Sequence, residues 1–114
     1  MNYYENDLWS MKEISHSPTM CGSASHLREV IFKKEATLKD FVENIIYLND
    51  GPDHGEVYVN GKELLSFNRW NGSAQKTELN QEKYNEIKDS KIIKGTSDNE
   101  WYTYSFNIVI KEQL

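Results

Sequence analysis

Apolar and polar residues alternate through Trp101-Tyr-Thr-Tyr-Ser-Phe-Asn-Ile-Val-Ile110, with Tyr102, Tyr104, Phe106, Ile108 and Ile110 on every second position. A period of two places these five side chains on one side of a β-strand. That side needs a covering layer, so the chain is expected to fold around a sheet. Upstream the period changes. Leu38, Phe41, Val42, Ile45 and Leu48 recur at three- and four-residue steps, which predicts an amphipathic helix over residues 37–48. Thr37 and Asp40 stand at capping-box spacing at its start, and Gly51 with Pro52 ends it. Residues 56–59 and 62–67 then flank Asn60-Gly61, the pair preferred in a two-residue type I′ turn. Such a turn sets Val59 opposite Lys62 and Val57 opposite Leu64, with Tyr58, Leu65 and Phe67 on the other side.

Weaker patterns fill the remainder. Residues 7–14 and 27–34 read as strands, Val30 and Phe32 on one face and Ile31 on the other, and the two could pair as a hairpin. Between them residues 15–26 have the Ser, Gly and Pro content of a loop. Residues 80–88 read as a short helix with Tyr84 and Ile87 inward, 91–94 as a brief strand and 95–99 as a turn. The expectation is a single α+β domain of order β-β-α-β-β-α-β-β. Its antiparallel sheet has about four to six strands, with the main helix on one face. Burying the helix stripe is worth of order 10 kcal/mol gross, most of it offset by ordering entropy.

At 114 residues the chain suits one domain. Aromatic residues make up 12% of it, too many for a disordered chain. The net charge of −5 disfavours direct nucleic-acid or anionic-membrane binding and favours a partner with a basic surface. A single cysteine, Cys21, allows no internal disulfide, which fits a reducing compartment. No secretory signal pattern or membrane-length apolar run occurs, so a cytoplasmic setting is expected.

Few residues suggest chemistry. Cys21 with His26 or His16 could form a thiol–imidazole pair, although no local signature surrounds the cysteine. The histidines at 16, 26 and 54 lack the spacing of a metal site, and the turn residues Asp50, Asp53, His54 and Glu56 lack that of a calcium loop. The same holds for Asp98-Asn99-Glu100. No phosphate-binding glycine loop or nucleophile elbow occurs, and no cofactor is expected. Surface recognition remains. Tyr3, Tyr4, Trp9, Trp70 and Trp101 exceed what one small core readily hides, and such residues anchor protein interfaces. A partner surface of Arg69, Trp70 and Trp101 is expected. Glu78, Glu82 and Glu86, four apart, could add an acidic helix row that imitates phosphates in a basic groove.

The run Ala36-Thr-Leu-Lys-Asp-Phe-Val-Glu-Asn-Ile-Ile46, then Gly55-Glu-Val-Tyr-Val59 and the closing Trp101-Tyr-Thr-Tyr104, resembles small uncharacterised proteins of bacteria, phages and integrated elements. The resemblance covers residues 27–110 in outline, departs over 68–80, and carries over no catalytic residue. It implies a protein that binds and blocks a host machine, as anti-CRISPR and other anti-defence inhibitors do. The reading is therefore a nonenzymatic protein-binding module, monomeric or homodimeric. The alternatives are a self-associating assembly protein and a small enzyme built on Cys21 and His26.

Overall fold

Thr37 opens the main helix, α1 (Leu38–Tyr47), through a reciprocal cap. The Thr37 amide donates to Asp40 Oδ2 at 3.0 Å, and the Asp40 amide donates to Thr37 Oγ1 at 3.3 Å. Two first-turn donors are thereby satisfied where the helix itself offers no acceptor. The computed structural model of the chain describes residues 5–18, 24–47, 54–68, 76–100 and 103–111. Within them Leu38, Phe41, Val42 and Ile45 of α1 are fully buried.

The stripe packs on a sheet of seven strands: β1 (Trp9–Pro18), β2 (Ala24–Phe32), β3 (His54–Val59), β4 (Lys62–Asn68), β5 (Lys76–Leu79), β6 (Ile92–Glu100) and β7 (Thr103–Ile110). Their spatial order is β1-β2-β6-β7-β3-β4-β5. Every neighbouring pair is antiparallel except β3 with β7, which run parallel in the middle of the sheet. The sheet is therefore mixed and larger than the expected four to six antiparallel strands. A short second helix, α2 (Gln81–Ile87), begins at Asn80, whose side chain accepts from the Lys83 amide at 3.1 Å. Tyr84 is its buried residue, and Ile87 packs against the core beside it, as the spacing predicted.

Phe41 is the centre of the core. Its ring lies 5.2 Å from Trp9, 5.6 Å from Phe106 and 6.3 Å from Phe32. Trp9 is thus wholly buried rather than a surface aromatic, because the β1–β2 pair passes beneath α1. Both helices lie on this one side of the sheet, where Val30, Val57, Val59, Leu65, Phe67, Phe106, Ile108 and Ile110 point. No described helix covers the other side.

Four further departures have physical causes. Residues 15–26, expected as a loop, mostly extend the β1–β2 ladder, which continues through His16 opposite His26 to Pro18 opposite Ala24. Residues 95–99, expected as a turn, are the middle of β6, whose buried positions are Gly95, Ser97 and Asn99. Small or polar residues facing the core left no apolar alternation to read. Strand β5 was not expected at all. In the β3–β4 hairpin, Asn60 and Gly61 take the positive φ values of a type I′ turn (49° and 84°), and Val59 faces Lys62 as predicted. An irregularity then inserts one residue, so Val57 faces Leu65 rather than Leu64. The extra residue brings Leu64, Leu65 and Phe67 all into the core.

Candidate functional site

The uncovered side of the sheet is assembled by alternation. In β3 the residues Gly55, Val57 and Val59 are buried, which turns His54, Glu56 and Tyr58 outward. The ladders align Tyr58 with Glu63 on β4 and with Asn107 on β7, and Glu56 with Ser66 and Ser105. Ser66 in turn faces Glu78 on β5. Across β6 and β2 the same side carries Asp98, opposite Leu27, and Glu29, opposite Thr96. Among the described side chains, Glu29, Glu56, Glu63, Glu78 and Asp98 thus share one pleated face with the cations Lys12 and Lys94. The surplus of carboxylates is spread over the whole width of the sheet.

Tyr58 stands near the centre of this face. Loss of water around its partly buried phenol raises its pKa above the usual value, and the Glu56 and Glu63 carboxylates push it the same way. The phenol stays neutral and able to donate a hydrogen bond at neutral pH. Beside it, His54, Ser66, Asn68 and Glu78 line a shallow hollow of about 180 Å³. The Nδ1 atom of His54 is buried there without a hydrogen-bond partner among the described residues.

A scan against protein-family models found no match, and searches of the curated proteins and of the solved structures found none either.

The residues singled out in the sequence scatter over the molecule. Arg69, Trp70, Trp101, Cys21, Tyr3, Tyr4, Asp50 and Asp53 lie outside the described residues. Glu78 belongs to β5 and joins the uncovered face, whereas Glu82 and Glu86 ride on α2 on the helical side. The expected row of three glutamates on one helix is therefore split, because α2 begins only at Gln81.

His16 and His26 do come together. Their rings stack at 4.7 Å between centroids, and His26 Nδ1 meets Glu13 Oε1 at 2.9 Å. The hydrogen bond to His26 holds the Glu13 carboxyl below the usual glutamate range; desolvation opposes it, and the charges of His26, Arg28 and His16 each add a lesser lowering. Next to them Arg28 donates to Asn99 Oδ1 at 2.6 Å. Two more rungs of ladder, Ser17 with Ser25 and Pro18 with Ala24, separate the histidines from the segment that carries Cys21.

Stacked imidazoles direct their in-plane lone pairs side by side, a poor arrangement for closing on one metal ion. No group of three or more metal-ligating side chains occurs among the described residues. None of their helices is long and apolar enough to cross a membrane. Sequence reasoning missed Glu29, Glu56, Glu63 and Asp98 as members of one surface. The alternation of His54-Gly-Glu-Val-Tyr-Val59 was the available signal for the Glu56–Tyr58 part.

Proposed function

We propose that this chain is a nonenzymatic protein-binding module that docks a basic surface of a protein partner on the helix-free face of its sheet. The observation that carries this reading is the excess of carboxylates over ammonium groups across this face, five to two among the described side chains, with Glu56 and Glu63 flanking Tyr58. Complementary charge of this kind steers encounter and selects partners more than it adds affinity. Tyrosine supplies contact area at low entropic cost and offers a ring face to an incoming cation. The resemblance of the capped helix and closing strand to small phage and mobile-element proteins extends the reading to an inhibitor of a host machine, of which anti-CRISPR and other anti-defence proteins are examples.

The test begins with a partner captured from host lysate and identified, followed by affinity measurements on Glu56→Gln, Glu63→Gln and Glu78→Gln combined. At about 0.2–1 kcal/mol per exposed pair, the triple variant weakens binding roughly 3- to 150-fold. Raising salt toward 1 M, where the screening length falls to about 3 Å, erases most of the difference between the two proteins. Equal affinity at low salt refutes the reading.

One observation favours self-association instead: β1 is a ten-residue edge strand whose Ile14, at the ladder irregularity, is 56% exposed. Light scattering at high concentration separates the two readings. A strict monomer excludes assembly through that edge. For an enzyme built on Cys21 and His26, rapid alkylation of the thiol well below pH 8 would be required.

A further inference from the structure

On the helical side, a groove of about 310 Å³ opens between α2 and the turn that joins β3 to β4, and a hollow of about 150 Å³ continues it. Its floor is apolar, made of Val59 and Ile110 from the sheet and Ile87 from α2. Both walls are fixed in place. The Asn60 side chain accepts from the Ile110 amide at 3.0 Å and donates to the Ile110 carbonyl at 3.4 Å, which ties the turn to the end of β7. The residues that follow α2 are held by α1: the Lys39 amide donates to the Lys88 carbonyl at 2.9 Å and the Leu38 amide to Ser90 at 3.0 Å. A ligand entering this groove meets a shape already formed, so little binding free energy goes into ordering it.

Charged groups of both signs border the floor. Lys62, opposite Val59 in the hairpin, and Lys83 on α2 each line both parts of the groove. Neither ammonium has an ion pair or hydrogen bond among the described residues, whereas Lys33 and Lys91 pair with Glu5 and Glu35 at 2.6 and 2.7 Å. Glu86 lines the wider part and is also unpaired among the described residues.

We propose that the groove binds a free α-amino acid with an apolar side chain. The carboxylate lies between Lys62 and Lys83, the ammonium is met by Glu86, and the side chain rests on Val59, Ile87 and Ile110. The volume stands at the small end of the range for ligand sites, which suits one amino acid and excludes a dinucleotide-sized cofactor. Glu63, counted above with the acidic sheet face, also lines the smaller hollow, but the proposal does not require that face to bind anything and survives if it binds nothing.

The test is an amide-resolved NMR titration of the whole chain with three probes: L-phenylalanine, 3-phenylpropionate, which lacks the ammonium, and phenethylamine, which lacks the carboxylate. Phenylalanine is expected to give saturable shifts at residues 59–62, 83–90 and 110 with a dissociation constant of about 1 mM or below, and each truncated probe to bind about tenfold more weakly. Lys62→Gln with Lys83→Gln should weaken phenylalanine and phenylpropionate while leaving phenethylamine unchanged, and Glu86→Gln should weaken phenylalanine and phenethylamine while leaving phenylpropionate unchanged. Absence of saturable shifts at these residues up to about 10 mM phenylalanine overturns the proposal. So does equal affinity for the three probes, or shifts confined to the opposite side of the sheet. Because the three probes are compared on the unmodified chain, a variant that failed to fold would not rescue it.

Discussion

Replacing Phe41 by alanine removes the ring on which the core converges. Phe41 is 0% exposed and holds ring contacts with Trp9, Phe32 and Phe106 drawn from three different strands. A fully buried phenylalanine cut to alanine costs about 3–5 kcal/mol through lost transfer energy and an incompletely collapsed cavity. The upper end is expected, because strands on one side and α1 on the other restrain collapse and each aromatic pair adds about 0.5–1.5 kcal/mol beyond area. At roughly 4 °C per kcal/mol for a domain of this length, the thermal midpoint falls by about 12–20 °C. Urea unfolding followed by tryptophan fluorescence and by far-ultraviolet circular dichroism gives the free energy directly, with Ile31→Ala as control. Ile31 points to the helix-free side and is 42% exposed, so its truncation should cost under about 1 kcal/mol. A loss below about 1 kcal/mol for Phe41→Ala, or equal losses for the two variants, would refute the placement of α1 over this aromatic cluster.

Other expectations test individual contacts. Removing both carboxylates beside Tyr58, as Glu56→Gln with Glu63→Gln, should lower the phenol pKa part of the way toward its usual value near 10, with burial accounting for the remainder, as read by a ring-proton NMR titration. The raised pKa favours folding below the unfolded-state value and that contribution disappears as pH climbs through the folded one; an unchanged pKa in the variant would show that the three side chains are not neighbours. For Glu13 the sign is opposite: its lowered pKa stabilises the fold above the ordinary glutamate range near 4.3, and the contribution is lost as pH falls through the folded value. His26→Ala should return the Glu13 carboxyl toward that range, and no movement would contradict the 2.9 Å contact. Gly55→Ala should destabilise by about 1–3 kcal/mol, since a methyl group there meets the Tyr104 backbone carbonyl and lies 3.0 Å from Phe67 Cζ; a neutral substitution would mean that β3 and β7 pack less closely.

What could be read from the sequence was what local physics dictates. The Thr37–Asp40 cap, the apolar stripe of α1, the Asn60-Gly61 turn and the inward phase of Phe106, Ile108 and Ile110 each need only a few neighbouring residues to specify. Strand β6 stayed hidden because its inner face carries Gly95, Ser97 and Asn99. At Gly95 even a methyl group would meet Ile108 Cδ1 at 2.9 Å, so the small residue serves packing and gives no hydrophobic signal. Strand β5 offers only Leu79 as an apolar inward residue. The parallel pairing of β3 with β7 joins segments far apart in the chain, and no local pattern encodes it. The acidic face was illegible for the same reason. Glu29, Glu56, Glu63, Glu78 and Asp98 become neighbours only through strand order and register.

Two tyrosines report directly which side of the sheet a partner meets. Tyr58 faces outward on the acidic side, while Tyr84 is buried under α2 on the helical side. With tyrosine rings isotopically labelled, titration with the purified partner should shift the Tyr58 ring signals to saturation while those of Tyr84 stay in place. Tyr58 unmoved in a saturated complex, with Tyr84 or the residues around α2 perturbed instead, would contradict docking on the acidic face.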